Sequence, residues 1–135
     1  MKWLLIVLTG FFILDYSDAR GEDWKLFSES EGSSFLFDAE NLSYPAEKIV
    51  RVWVKAVISE KDRLDWVAKG GEKYLNLSYI KSSMEVNCKD KSQRSLSLEL
   101  FSEQDILDSF HGKPSQWSFI PPGSNWDNLR KAICQ

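Results

Sequence analysis

The stretch Ile49-Val50-Arg51-Val52-Trp53-Val54-Lys55-Ala56-Val57-Ile58 decides the fold. Val50, Val52, Val54 and Ala56 take every second position, and Arg51, Trp53, Lys55 and Val57 take the positions between. A period of two belongs to a β-strand, whose successive side chains point to opposite faces. This is the clearest strand in the chain. It predicts a central position in a sheet, with one face in a core and the other carrying two cations and an indole.

Upstream, Trp24, Leu26 and Phe27 open an apolar segment, residues 29–34 form a polar turn containing Gly32, and Phe35-Leu36-Phe37 follow, which reads as a hairpin. Residues 38–45 read as a loop. Downstream, Ser59 with Asp62 at the third position after it resembles a capping box. Leu64, Val67 and Ala68 then recur at helical spacing until Gly70-Gly71 stops the chain. Residues 77–88 and 94–101 read as two more strands joined by Lys89-Asp90-Lys91-Ser92. In the second, Leu96, Leu98 and Leu100 alternate with Ser95, Ser97 and Glu99. Residues 106–110 read as a sixth strand, and Trp117-Ser118-Phe119-Ile120 lead into the stop Pro121-Pro122-Gly123. Ser124 caps a last helix over residues 125–133, with Trp126, Leu129 and Ile133 on one side. Strands that follow one another through tight turns predict an α+β fold. The expectation is an antiparallel sheet of about six strands, a short helix after the third, and a C-terminal helix packed on the sheet.

The ends of the chain give its address. Lys2, an uncharged apolar run over residues 3–14 and the small residues Ser17 and Ala19 read as a secretory signal over residues 1–19, too short to span a bilayer. Residues 20–135 then form a single domain with no transmembrane segment. Of the 17 basic and 20 acidic residues, Lys2, Asp15 and Asp18 belong to the signal, which leaves a net charge of −2. That near-balance argues against a nucleic-acid partner, which calls for a basic excess. In an oxidising compartment Cys88 and Cys134 read as a disulfide. Two cysteines and a single histidine cannot close a zinc site.

Catalytic candidates are few. His111 can titrate near neutrality, with Asp105 and Asp108 close in sequence, but its surroundings read as an exposed loop without a nucleophile. Glu85 and Glu99 lie on strands expected to pair and could form a carboxylate pair, but both belong to polar strand faces, and that plain reading is preferred. There is no G-x-S-x-G, no phosphate loop and no H-E-x-x-H, so neither an enzyme nor a cofactor is expected. Asn41-Leu42-Ser43 and Asn76-Leu77-Ser78 fit the glycosylation pattern, which matters only in a eukaryotic secretory pathway. Binding has better candidates: Lys81, Lys89, Lys91 and Arg94 gather around one hairpin, with Arg51, Trp53 and Lys55 on a neighbouring strand face. Trp24, Phe35, Phe37, Tyr79 and Trp117 join Trp53 as rings for a stacking surface or for a core.

Several motifs resemble the bacterial surface-adhesin protein E family: Asp23-Trp24-Lys25-Leu26-Phe27, Arg51-Val52-Trp53-Val54-Lys55, Cys88-Lys89, Ile120-Pro121-Pro122-Gly123-Ser124 and the terminal Cys134. The resemblance spans the expected mature chain. It implies a small sheet of about six antiparallel strands with a C-terminal helix, and an exported protein of the periplasm or cell surface that attaches to host matrix or serum proteins. No catalytic residue carries over. A protein partner is therefore expected, and a homodimer through an edge strand such as 106–110 is a further expectation. Competing readings are a periplasmic structural or envelope-stress protein without a ligand and a small enzyme using His111.

Overall fold

A computed structural model of the chain describes residues 21–134, and the signal expected over residues 1–19 lies outside them. Strands β1 (Trp24–Ser30) and β2 (Ser33–Asp38) form the expected hairpin. Its two-residue turn has positive φ at both Glu31 (50°) and Gly32 (88°), the backbone that matches the twist of the flanking strands. A short β3 (Ser43–Ala46) precedes β4 (Ile49–Val57), and helix α1 (Glu60–Gly70) follows, with a 3-10 turn over Glu72–Tyr74. Then come β5 (Tyr79–Asn87), β6 (Ser92–Phe101), β7 (Ile106–His111), β8 (Ser118–Phe119) and helix α2 (Asn125–Ile133).

Every pairing is antiparallel, in the order β1-β2-β4-β5-β6-β7, with β3 beside β4 and β8 beside β6. The α+β reading and the central place of residues 49–57 therefore stand. Both helices begin on the expected caps: the Ser59 and Ser124 hydroxyls accept the Asp62 and Asp127 backbone N–H groups.

Two expectations need correction. Residues 38–45 are not wholly loop: Ser43 pairs with Arg51 and Ala46 with Ile49, which adds a strand, so α1 follows the fourth, not the third; with β8 against β6 the sheet has eight strands among the described residues. All four β3 residues are exposed and one is Pro45, so no alternation marks the segment. The alternation along β6 also breaks. Ser83 pairs with Ser97 but Met84 pairs with Ser95, so a bulge at Leu96 flips the strand's phase. Ser95 turns to the helix-covered face and Arg94 to the other.

That covered face holds two separate cores. Val50, Val52, Val54, Met84 and Val86 pack beneath Leu129 and Ile133 of α2. Nearer α1, Tyr74, Leu77 and Leu100 form a smaller cluster against Trp66 and Val67. Helix α2 is also tied to β1, because the Ser28 hydroxyl donates to Asn125 Oδ1 and accepts from Asn128 Nδ2. Cys88 and Cys134 are joined across a Cα separation of 5.7 Å, fastening the end of α2 to the end of β5.

Candidate functional site on the open face of the sheet

Neither helix packs on the other face. Strand alternation brings Arg51, Trp53, Lys55 and Val57 of β4 to it, and the register places them opposite Glu85, Ser83, Lys81 and Tyr79 of β5. In turn these face Arg94, Ser97, Glu99 and Phe101 of β6. Five of the seven nominated binding residues, Arg51, Trp53, Lys55, Lys81 and Arg94, thus share one surface. Lys89 and Lys91 sit exposed in the β5–β6 turn at its end.

At one end of this surface Glu85 is an anchor. Its carboxylate is only 3% exposed, and Arg51 (2.7 Å) and Arg94 (2.9 Å) each hold one oxygen. Burial pushes the Glu85 carboxyl up, but the hydrogen bonds and charges of the two arginines outweigh it and leave it below the usual carboxylate range. The Arg94 guanidinium also stacks 4.5 Å from the centre of the Trp117 ring. Arg51 and Arg94 are therefore committed to the fold as well as exposed to solvent.

At the other end Lys55 and Lys81 stand directly opposite each other, an arrangement that costs stability on a sheet. Rings separate and accommodate them. Lys55 lies 4.7 Å from the centre of Tyr79 and 5.7 Å from that of Trp24, while Lys81 lies 5.6 Å from Trp24 and 5.7 Å from Phe101. Tyr79 and Phe101 stack nearly parallel, 4.8 Å apart. Lys81 has a carboxylate partner, Glu22, at 3.5 Å, and Lys55 has none within ion-pair distance among the described residues. Trp53 is half-buried and lines a hollow of about 300 Å³ with Trp24, Lys81 and Glu99.

The catalytic candidates do not assemble. Glu85 faces Arg94 and Glu99 faces Lys81, four positions apart along β5, roughly 13 Å. They are not a carboxylate pair. His111 ends strand β7, not a loop, and its Nε2 lies 3.6 Å from Glu99. Asp108 bonds to Lys73 and the Tyr74 hydroxyl, and Asp105 sits in the β6–β7 turn, so neither orients the imidazole. The six rings also divide: Phe35 and Phe37 turn to the helix-covered face, while Trp24, Trp53, Tyr79 and Trp117 lie on the open side. Sequence reasoning missed Phe101 and Glu22, and it placed Glu85 on a polar strand face without its burial between two arginines. The register that brings Phe101 under Lys81, and Glu85 between two arginines, is not written in any one strand.

Fold and surface together define a small antiparallel α+β protein with helices on one side and an uncovered, cation- and ring-bearing face on the other. Residues 24–135 match the surface-adhesin protein E family, and the chain belongs to that family. Membership points to an exported or surface protein that is adhesin-like. No curated protein matches the chain. Among the described residues no helix is long and apolar enough to cross a membrane.

Proposed function

We propose that the chain is an exported protein-binding module, residues 20–135 acting as one domain after removal of the signal, and that its open sheet face carries the contact. The supporting observation is the Lys55–Lys81 pair. Two like charges set opposite each other on an uncovered face cost folding free energy, and a partner carboxylate would turn that cost into attraction. Trp24, Tyr79 and Phe101 beside them supply flat apolar area for the same partner. Lys89 and Lys91 add positive charge at the far end of the same sheet, beyond Arg51 and Arg94.

The test separates binding from folding. Lys55→Gln removes half of the repelling pair, so the melting temperature should hold or rise slightly while capture of matrix and serum proteins by the immobilised protein weakens. Adding Lys89→Glu and Lys91→Glu should weaken it further, and more at low than at moderate salt, since exposed charges are screened beyond about 10 Å at 0.1 M. Undiminished capture by the folded triple variant would remove this face from consideration.

A further inference from the structure

The two cores on the helix-covered face do not meet. Between them runs a groove of about 740 Å³, within the range of roughly 300–1,000 Å³ typical of small-molecule sites. Its floor is mostly apolar, formed by Val54, Ala56, Ile80, Met84 and Leu98 with the hydroxyls of Ser82 and Ser95 among them. An edge-to-face ring pair lines each flank: Phe35 with Trp126 at 6.1 Å, and Trp66 with Tyr74 at 5.5 Å. A helix that simply closed a core would turn apolar residues toward that floor. Helix α1 instead lines the groove with Asp62, Asp65, Trp66 and Lys69, at spacings of three, four and seven from Asp62, and buries none of its residues fully.

The polar groups at this mouth show which head group fits. Asp62 is held by the Ser33 hydroxyl, and the Asp65 carboxylate makes no hydrogen bond or ion pair among the described residues. Within the lining, two carboxylates stand against the ammonium of Lys69; Lys61, which feels both carboxylates from outside the lining, is itself paired with Glu31, so the mouth stays acidic. Trp66 stands beside them, and an indole face next to a carboxylate is the setting in which organic cations are recognised. We propose that this groove binds a small amphiphile with an apolar body and a cationic, ammonium-type head. The body lies on the Val54–Ile80 floor between the ring pairs, and the head sits against Asp65 and Trp66. A carboxylate or sulfate head on the same body meets repulsion there. This site lies on the opposite face from Lys55 and Lys81 and does not depend on the proposed protein contact.

Dodecyltrimethylammonium and dodecyl sulfate share a tail and carry opposite heads. Each is titrated into the disulfide-intact protein below its micellar concentration, followed by tryptophan fluorescence and calorimetry. The ammonium compound should bind saturably at one site, about tenfold tighter than the sulfate. Asp65→Lys, a change at an exposed position, should abolish or invert that preference. Ala56→Leu, which fills the floor with an apolar side chain, should weaken both compounds, and far-UV circular dichroism reports whether it folds. The proposal is overturned if neither compound binds saturably, if the sulfate binds as well as the ammonium, or if Asp65→Lys leaves the preference unchanged. The Asp65 arm decides the matter even should Ala56→Leu misfold.

Discussion

Removing both arginines from Glu85 should be far more damaging than removing all three charges. Glu85 is 2% exposed overall, and its carboxylate rests on Arg51 and Arg94 alone. Arg51→Met with Arg94→Met leaves a buried, unpaired carboxylate, for which about 3–5 kcal/mol is expected at neutral pH. That is a large share of the roughly 5–15 kcal/mol of a whole domain, and it corresponds to a melting temperature lower by on the order of 10–20 °C. Either single variant keeps one arginine and should lose much less. Adding Glu85→Met to the double variant removes the orphan charge and should recover most of the loss. The pH dependence should change sign as well. In the intact protein the Glu85 carboxyl lies below its unfolded value of about 4.3. Its contribution is complete above that value and fades as the pH falls through the lower folded one. In the double variant only burial remains, which favours the neutral acid and raises the folded pKa. Stability should then fall as the pH rises from about 4.3 through that raised value. Urea denaturation at a series of pH values, read by tryptophan fluorescence with the disulfide intact, measures both effects. A double variant within about 1 kcal/mol of wild type, or one with the wild-type pH slope, would refute the assignment of Glu85 as a buried anchor.

Three further outcomes are expected. Cys88→Ser with Cys134→Ser should cost about 4 kcal/mol on the chain-entropy account, since the link spans a sequence separation of 46; equal urea midpoints for the variant and the oxidised protein would contradict this. Gly70→Ala, which helix propensity alone would favour by about 1 kcal/mol, should instead destabilise. The new Cβ would run into the Tyr74 ring, and that ring is itself held by the hydroxyl's bond to Asp108. A raised melting temperature would show that the ring can move. Ser124→Ala removes the acceptor of the Asp127 N–H and a donor to the Pro121 carbonyl, so a loss of about 1 kcal/mol in chemical denaturation is expected. No loss would mean that the cap is dispensable.

Local sequence determined those parts of this protein whose cause is local. The alternation at 49–57 settled a strand and its two faces, because the side-chain period of a strand is fixed by the backbone. Ser59 and Ser124 settled where helices begin, because an N-cap needs only its own hydroxyl and an N–H three residues on. Residues 24–135 likewise carried the family resemblance. The site was legible in composition but not in arrangement: four of the six nominated cations, Arg51, Lys55, Lys81 and Arg94, lie on one face, yet two of them turn out to clamp a buried carboxylate.

Everything that depended on pairing between distant segments was decided by the tertiary structure. One residue inserted at Leu96 reversed the phase of β6, which sent Arg94 to Glu85 and Ser95 to the groove, and a bulge leaves no mark in the hydrophobic pattern. Lys55 meets Lys81, and Glu99 stays far from Glu85, only because β4, β5 and β6 pair in one particular register. The groove between the two cores exists because α1 and α2, far apart in the chain, cover different ends of one sheet face and leave its middle bare. No single segment encodes an empty space, since a cavity is a property of how elements are placed against each other.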